Sequence, residues 1–515
     1  MNATECLTTP FHELINQKDF ETKRNVCHII RGMMGQGKTY VTATDYLPTL
    51  FSDEFGVKFA IYSVPNNEIM DIDLFMSTLI EHGVVVTDSI DTAIRFSRKG
   101  KKVLLCTSHM MFTVMEKGRK VSNYLKSSNI LFSIFLDEAH TWLVSHFLNY
   151  HNVMGATSPK YKARAFTLLE ELSNYSPYIF GITATPNREH NGITKPLGNM
   201  KFEVINEFPS KEAMVSRSAW YRNIDQFNIK DEKEIKRMVR SFLYKICNDE
   251  IQSGSKKVVL IQTGRSNHRE GYTFDHVMSI VHDIIKEDGL WDVDDKLFAV
   301  MTGDKRKIMS PNGNHIDKFN GVSGTEADAS IKEALNDFNH PSRFCFVVDK
   351  GKVGMNIFNL GGFISFRDYD KKNDVKEAVI EMAVQILGRP VRINVGSDID
   401  SFKDTFNYDL EEYVRSLDHS EIDKLFLTNT FDILVPNISM WDEALNQIKS
   451  IYASSVSEAK KWMMSMNLHV LEDENCELCG ALPEHQRIKK LSYDELDDVS
   501  LKSFVEKNLE MKEII

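Results

Sequence analysis

Val26-Cys27-His28-Ile29-Ile30 is followed closely by Gly32-Met33-Met34-Gly35-Gln36-Gly37-Lys38-Thr39, and this junction decides the fold. A mainly apolar run without alternation suits a strand buried on both faces. The octet after it satisfies G-x-x-x-x-G-K-S/T and stands between a strand and a helical stretch, the context that motif requires. Gly32, Gly35 and Gly37 let backbone N–H groups turn inward around phosphates, and the helix N-terminus adds a favourable field. Lys38 can then reach the outer phosphate oxygens, and Thr39 can ligate Mg²⁺.

Working outward, the same pattern recurs at Lys58 to Tyr62, Val103 to Cys106, Ile130 to Leu136 and Tyr178 to Ile182. Residues 1–205 therefore read as a parallel α/β sheet. The pattern restarts at Lys257 to Ile261, Leu297 to Val300 and Arg343 to Val348, with helical stretches such as Phe274 to Lys286 and Ala329 to Phe338 between them. A second sheet over 206–400 is expected, with the changeover around Glu207-Phe208-Pro209-Ser210. Beyond 400 the runs fade into amphipathic stretches such as Asp442 to Tyr452 and Leu501 to Met511, so 401–515 is expected to be a mainly helical accessory region.

The chain has 515 residues, too many for a small binding module, and its hydrophobic content of 42% is enough to build real cores. Its 62 Lys and Arg face 73 Asp and Glu, a net charge of −11, so the molecule as a whole carries no basic footprint. Seven cysteines form no even-numbered framework, which fits a reducing compartment. A basic leader and a run of ~20 apolar residues are both absent from the sequence, so an intracellular, soluble protein without a membrane is expected.

A phosphate loop needs a carboxylate at the end of a neighbouring strand. Ile130 to Leu136 delivers Asp137-Glu138-Ala139-His140 directly after its last apolar residue. Asp137 is placed to hold Mg²⁺ through its water shell, and Glu138 to orient or deprotonate an attacking water. Gly181-Ile182-Thr183-Ala184-Thr185-Pro186 brings two hydroxyls to the end of another buried strand. Far downstream, Gln385-Ile386-Leu387-Gly388-Arg389-Pro390-Val391-Arg392 carries two arginines that a second lobe could supply to a transferring phosphoryl group.

Over about 25–395 the chain resembles superfamily 2 helicases, the DEAD/DEAH-type nucleic-acid motors with two tandem RecA-like lobes. Gly32 to Thr39 is similar to their motif I, Asp137 to His140 to motif II, Thr183-Ala184-Thr185 to motif III and Gln385 to Arg392 to motif VI. The resemblance implies an α/β fold of two parallel-sheet lobes and an ATP hydrolase using Mg²⁺. Glu138, Gln385, Arg389 and Arg392 would be catalytic, and Thr183, Thr185, Gly354 and Asn356 would couple the lobes. Pro65, Thr107, His109 and Arg265 lie where the family contacts nucleic acid, and Gly303-Asp304 resembles a pair after the next strand. Val348 departs from the pattern, standing where a Thr is common. The polar interval from Asp304 to Ala327 reads as a surface insertion. No adenine-reading Gln motif stands upstream of Gly32; Gln17 is the candidate.

DNA is favoured over RNA as the partner, because the Q-x-x-G-R-x-x-R form and the missing Gln motif look more like DNA-directed branches. Alternatives are a duplex-DNA translocase or remodeller that does not separate strands, and a nucleotide-gated interaction protein that ignores nucleic acid. Two basic segments stand out: Arg95 to Lys102, which reads mainly as a solvated loop, and Lys117, Arg119 and Lys120, better placed for a polymer. In the tail, His469, Cys476, Cys479 and His485 offer two thiolates and two loosely spaced histidines, a candidate Zn²⁺ set to be weighed against a surface loop with free thiols.

Overall fold

The computed structural model describes residues 5–32, 36–64, 72–108, 115–139, 169–183, 199–207, 219–264, 272–302, 305–319, 324–348, 357, 359–367, 419–437 and parts of 441–461. The chain divides into two compact units, Met1–Met214 with Val353–Met355, and Val215–Lys352 with Asn356–Ile515.

The first unit is built on seven strands: β1 (Val26–Arg31), β2 (Phe59–Val64), β3 (Val84–Thr87), β4 (Lys102–Ser108), β5 (Phe132–Leu136), β6 (Ile179–Thr183) and β7 (Lys201–Val204). Their order is β3-β4-β2-β5-β6-β1-β7, and every pairing is parallel. Successive side chains of a strand point to opposite faces. Cys27, Ile29, Phe59, Ile61, Ile134 and Leu136 enter one core, whereas Ile30, Ala60, Tyr62, Val64 and Phe135 enter the other. Both faces are therefore apolar, which is why these strands show no alternation in the sequence. His28 fits the run because it is fully buried beside the rings of Phe20 and Phe180, where burial lowers its pKa to about 4 and keeps it neutral.

The second unit carries β8 (Ala219–Phe227), β9 (Val258–Gln262), β10 (Phe298–Met301), β11 (Arg306–Met309), β12 (Ile316–Lys318), β13 (Phe344–Val347), β14 (Leu360–Ser365), β15 (Thr430–Pro436) and β16 (Ala453–Ser455). They form one sheet in the order β12-β11-β10-β13-β9-β14-β15-β8-β16, antiparallel only at the β10-β11-β12 edge. That edge is the polar interval read as an insertion: a hairpin, followed by helix Gly324–Asn336.

Residues past 400 contribute to this sheet. The stretch read as a helical region supplies helix His419–Asn429 and then β15, which lies between β14 and β8 and is buried along its whole length. Asp432 disguised this strand in the sequence, since a charge inside a buried run argues against one. The structure neutralises it: Arg222 lies 2.6 Å from Asp432 and 2.9 Å from Asp249, and Asn223 donates to Asp432 at 3.1 Å. Lys257, at the start of β9, lies 3.0 Å from Asp249 and donates to the Thr430 carbonyl at 2.7 Å. Burial pulls the Lys257 ammonium below its usual pKa while Asp249 opposes that shift. Among the described residues no helix is long and apolar enough to cross a membrane.

Removing one member of such a buried network leaves an uncompensated charge. Asp249→Ala is expected to lower the unfolding free energy of the second unit by about 3–5 kcal/mol, read from its urea midpoint. An unchanged midpoint would show that the network carries no stability.

Candidate nucleotide-binding site

The loop after β1 enters its helix at Gly37, whose φ of 88° lies in the left-handed region that glycine adopts without strain. Helix Lys38–Val41 continues as a π turn, Thr42–Tyr46, and then as helix Leu47–Phe51. The Lys38 ammonium donates to the Gly32 carbonyl at 2.9 Å, and the Gly32 N–H donates to the carbonyl of Thr183 at 2.9 Å, so the loop is tied to the end of β6. Asn206, almost fully buried, clamps the strand end below the loop. Its carboxamide accepts from the Arg31 N–H at 2.7 Å and donates to the carbonyls of Arg31 at 2.7 Å and Cys6 at 3.2 Å. Helix Glu5–Ile15 buttresses the same loop, with Tyr46 donating to the Leu7 carbonyl at 2.9 Å.

Asp137 follows β5 on the same edge of the sheet, its N–H bonded to the Ser63 carbonyl at 2.8 Å. The Tyr62 hydroxyl, from β2, donates to Asp137 Oδ2 at 2.6 Å, and the Thr39 side chain lies close enough to the same phenol to oppose the rise in its pKa. One buried phenol thus bonds the strand-end carboxylate and neighbours the loop's Thr39. Burial, then the Asp137 charge, raises the Tyr62 pKa well above its ordinary value, so it is a neutral donor. Burial, then the neighbouring Glu138, raises Asp137 to about 6, against opposing pulls from the Tyr62 hydrogen bond, Lys38 and the Glu138 N–H.

Glu138 has a φ of 47°, a left-handed conformation that costs a non-glycine residue of order ~1–3 kcal/mol. Its N–H donates to Asp137 Oδ1 at 3.0 Å, which helps hold the turn. Gly181 makes room for that turn: a Cβ there would stand 2.7 Å from Ile29 Cδ1 and 2.9 Å from the Ala139 methyl.

The C-terminal edge of this sheet therefore gathers Gly32, Lys38, Thr39, Asp137, Glu138 and Thr183, with Thr107 nearby on β4, paired in register with Ser63 of β2. Gln17 is exposed and accepts from Lys23 at 2.9 Å. Gly35, Pro65, His109, Thr185, Arg265, Gly354, Asn356, Gln385, Arg389, Arg392 and the His469, Cys476, Cys479, His485 set lie outside the described residues. Among the described residues there is no cluster of three or more His, Cys, Asp or Glu arranged to hold a metal. Thr39 and Asp137 are hard oxygen donors of the kind that suits Mg²⁺, an ion that commonly takes most of its oxygens from water and phosphate.

Tyr62 and Asn206 were not singled out by the sequence motifs. The available signal was polarity: a phenol or carboxamide in a buried position needs a partner.

No protein-family model matches the sequence, and no curated protein matches it. The fold is similar to solved helicase structures. A Mycobacterium smegmatis helicase Lhr bound to ssDNA and AMP-PNP aligns at 9% identity and TM-score 0.44, covering 94% of this chain and 54% of that one. The DUF1998 helicase MrfA bound to DNA aligns at 12% identity and TM-score 0.47, covering 97% and 61%. S. cerevisiae Dbp5 bound to RNA and ADP BeF3 aligns at 10% identity and TM-score 0.40, covering 90% and 97%. The chain thus spans about half the length of the first of these and nearly all of the last.

The raised Asp137 pKa makes stability depend on pH. A carboxyl with a higher pKa in the folded state holds its proton more tightly there. The cost of ionising it is absent below about pH 4, grows as pH rises to about 6 and is complete above that. Asp137→Asn is therefore expected to stabilise the metal-free and nucleotide-free protein by about 3 kcal/mol at pH 7.5 and by nothing at pH 2.5. Thermal unfolding at both pH values checks this; a difference independent of pH would contradict the assignment.

Proposed function

We propose that the chain is an ATP-driven motor on nucleic acid, a helicase or translocase that hydrolyses ATP with the machinery at the C-terminal edge of the first sheet. The observation that carries this reading is the buried hydrogen bond from Tyr62 to Asp137 of the Asp-Glu-Ala-His turn, made beside Thr39 of the phosphate loop. The carboxylate that would hold the metal is thereby fixed next to the phosphate loop, as phosphoryl transfer requires.

In this reading the N–H groups of the loop and the ammonium of Lys38 hold the phosphates. Mg²⁺, when bound, would neutralise charge on the phosphoryl oxygens. Asp137 and Thr39 would hold that ion, and Glu138, fixed in its turn by the hydrogen bond to Asp137, orients the attacking water and accepts its proton. Thr183 and Thr185 would relay the state of the loop. Gln385, Arg389 and Arg392 would complete the transition-state contacts from the second lobe, with Gly354 and Asn356 in the coupling path. The preference for ATP, and for DNA over RNA, follows the motif resemblance. A motor that moves on duplex DNA without separating strands uses the same residues, and a strand-displacement assay distinguishes it. A nucleotide-gated interaction protein would hydrolyse ATP without regard to nucleic acid.

ATPase rates measured alone and with single-stranded DNA, duplex DNA and RNA are expected to rise with at least one polymer; no stimulation by any would remove the motor reading. Lys38→Ala should abolish hydrolysis, while Glu138→Gln should keep ATP binding and lose turnover. Arg389→Ala should reduce kcat by about 1,000-fold with little change in nucleotide affinity. A loss confined to affinity would exclude the transition-state role.

A further inference from the structure

Two basic segments separated in the sequence meet on one face of the first sheet. Helix Ile90–Arg98 starts at Ser89, whose hydroxyl accepts from the Thr92 N–H, and buries Ala93, Ile94 and Ser97 while Asp91, Arg95 and Arg98 stay exposed, as does Lys99 at its C-cap. Helix Met115–Ser128 buries Val121, Tyr124 and Leu125 and exposes Lys120, Asn123 and Ser127. Ile94, Val121, Tyr124 and Leu125 share a single core cluster, so both helices pack on the same side of the sheet. Because β3, β4 and β5 are parallel, the helices between them return in the same direction.

A groove of about 680 Å³ lies along the pair, lined by Arg95, Arg98, Lys99, Lys120, Asn123 and Ser127, with Ile94 and Tyr124 at its base. The Tyr124 hydroxyl donates to Ser97 Oγ at 2.7 Å and ties the two walls together. Lys120 pairs with Asp91. Among the described residues Arg95, Arg98 and Lys99 have no carboxylate partner. They lie instead against ring faces, Arg95 and Lys99 at 5.2 and 5.8 Å from Phe96, and Arg98 at 5.6 Å from Tyr124. Four cations thus line a groove beside one carboxylate, in a chain whose net charge is −11.

Cations in a last helical turn offset the helix dipole, which accounts for Arg95 and Arg98 taken singly. It does not account for Lys120, six residues into a neighbouring helix and turned to the same groove. Ile94 and Tyr124 are only 5% and 8% exposed, so the apolar surface an occupant meets is chiefly the aliphatic stems of the cations, with no exposed apolar or aromatic side chain lining the groove. An acidic protein segment gains affinity from apolar and aromatic anchors, which this groove does not receive. A phosphodiester chain needs what is present: guanidinium forks and ammonium groups spread along a channel.

We propose that this groove binds a nucleic-acid backbone, as a contact apart from the nucleotide-binding edge. The Arg98-Lys99 end of the groove lies where β4 begins, at the opposite end of the strands from Asp137 and Thr183. The inference takes its polymer from the motor reading above.

The test uses the full chain and labelled single-stranded DNA and RNA, with anisotropy recorded across a salt series. The variant is Arg95→Ala with Arg98→Ala and Lys99→Ala; a control of equal charge change is Lys18→Ala with Lys23→Ala and Arg24→Ala. The groove variant is expected to bind ~10-fold or more weakly at low salt, with the slope of log affinity against log salt shallower by about 2, and the control to stay close to wild type. ATPase activity without nucleic acid should be unchanged, showing an intact fold. Equal affinities and slopes for groove variant and control would overturn the proposal while leaving the motor reading in place. Loss of polyglutamate binding with oligonucleotide binding retained would also overturn it, assigning the groove to an acidic protein segment. A wild-type chain that binds neither oligonucleotide and is not stimulated by either would remove the motor reading and this inference together.

Discussion

The hydrogen bond from the Tyr62 hydroxyl to Asp137 is the constraint on which the site depends. A carboxylate at the end of a fully buried strand loses its hydration, and Asp137 shows the consequence in a pKa raised to about 6. Left without partners, such a group would take up a proton near neutral pH and could not hold a metal ion. The phenol, the Lys38 charge and the Glu138 N–H each favour the ionised form. The same contacts fix the turn that carries Glu138, so ionisation of one carboxylate and orientation of the other have a common structural origin. The strained backbone of Glu138 is held by this arrangement and by the close packing of Ala139 on Gly181.

The fold was legible wherever a strand is apolar on both faces. β1, β2, β4, β5, β6, β9, β10 and β13 all stand out as mainly apolar runs because each is buried on both faces. The strands that escaped are those in which this signal is diluted. β7 is an edge strand with two exposed positions, β14 contains two consecutive glycines, and β15 carries Asp432. For β15 the missing information is non-local. Asp432 is tolerated only because Arg222 and Asn223 face it from a strand more than 200 residues earlier, and no window of sequence contains both sides of that pairing. The same blindness placed the end of the second lobe at 400, before the strand that joins its sheet.

For the site, the motif residues could be read because phosphate chemistry dictates both residue type and position: glycines, then Lys-Thr at a helix start, then a carboxylate at a strand end. The supporting residues obey no such rule. Tyr62 and Asn206 act through partners 75 and 175 residues away, and either could have been replaced by another donor at another place in the fold. Spacing along the chain identifies groups that touch a ligand. Groups that hold those in place are identified by the polar contacts of a buried core.

Net charge is the other property that sequence averages obscure. An excess of acidic residues over the whole chain sets the long-range field, but a polymer responds to charge within a Debye length, about 8–10 Å at physiological salt. Among the residues that line the groove, Arg95, Arg98, Lys99 and Lys120 outnumber Asp91. The acidic remainder disfavours adherence of a polyanion elsewhere, so that any such binding would concentrate where cations converge or where backbone N–H groups and hydroxyls replace them. An acidic chain with a confined basic groove is therefore consistent with a nucleic-acid motor, provided that the polymer is gripped at few phosphates. The motor proposed above would be served by that economy, since each neutralised phosphate adds affinity that has to be broken at every step.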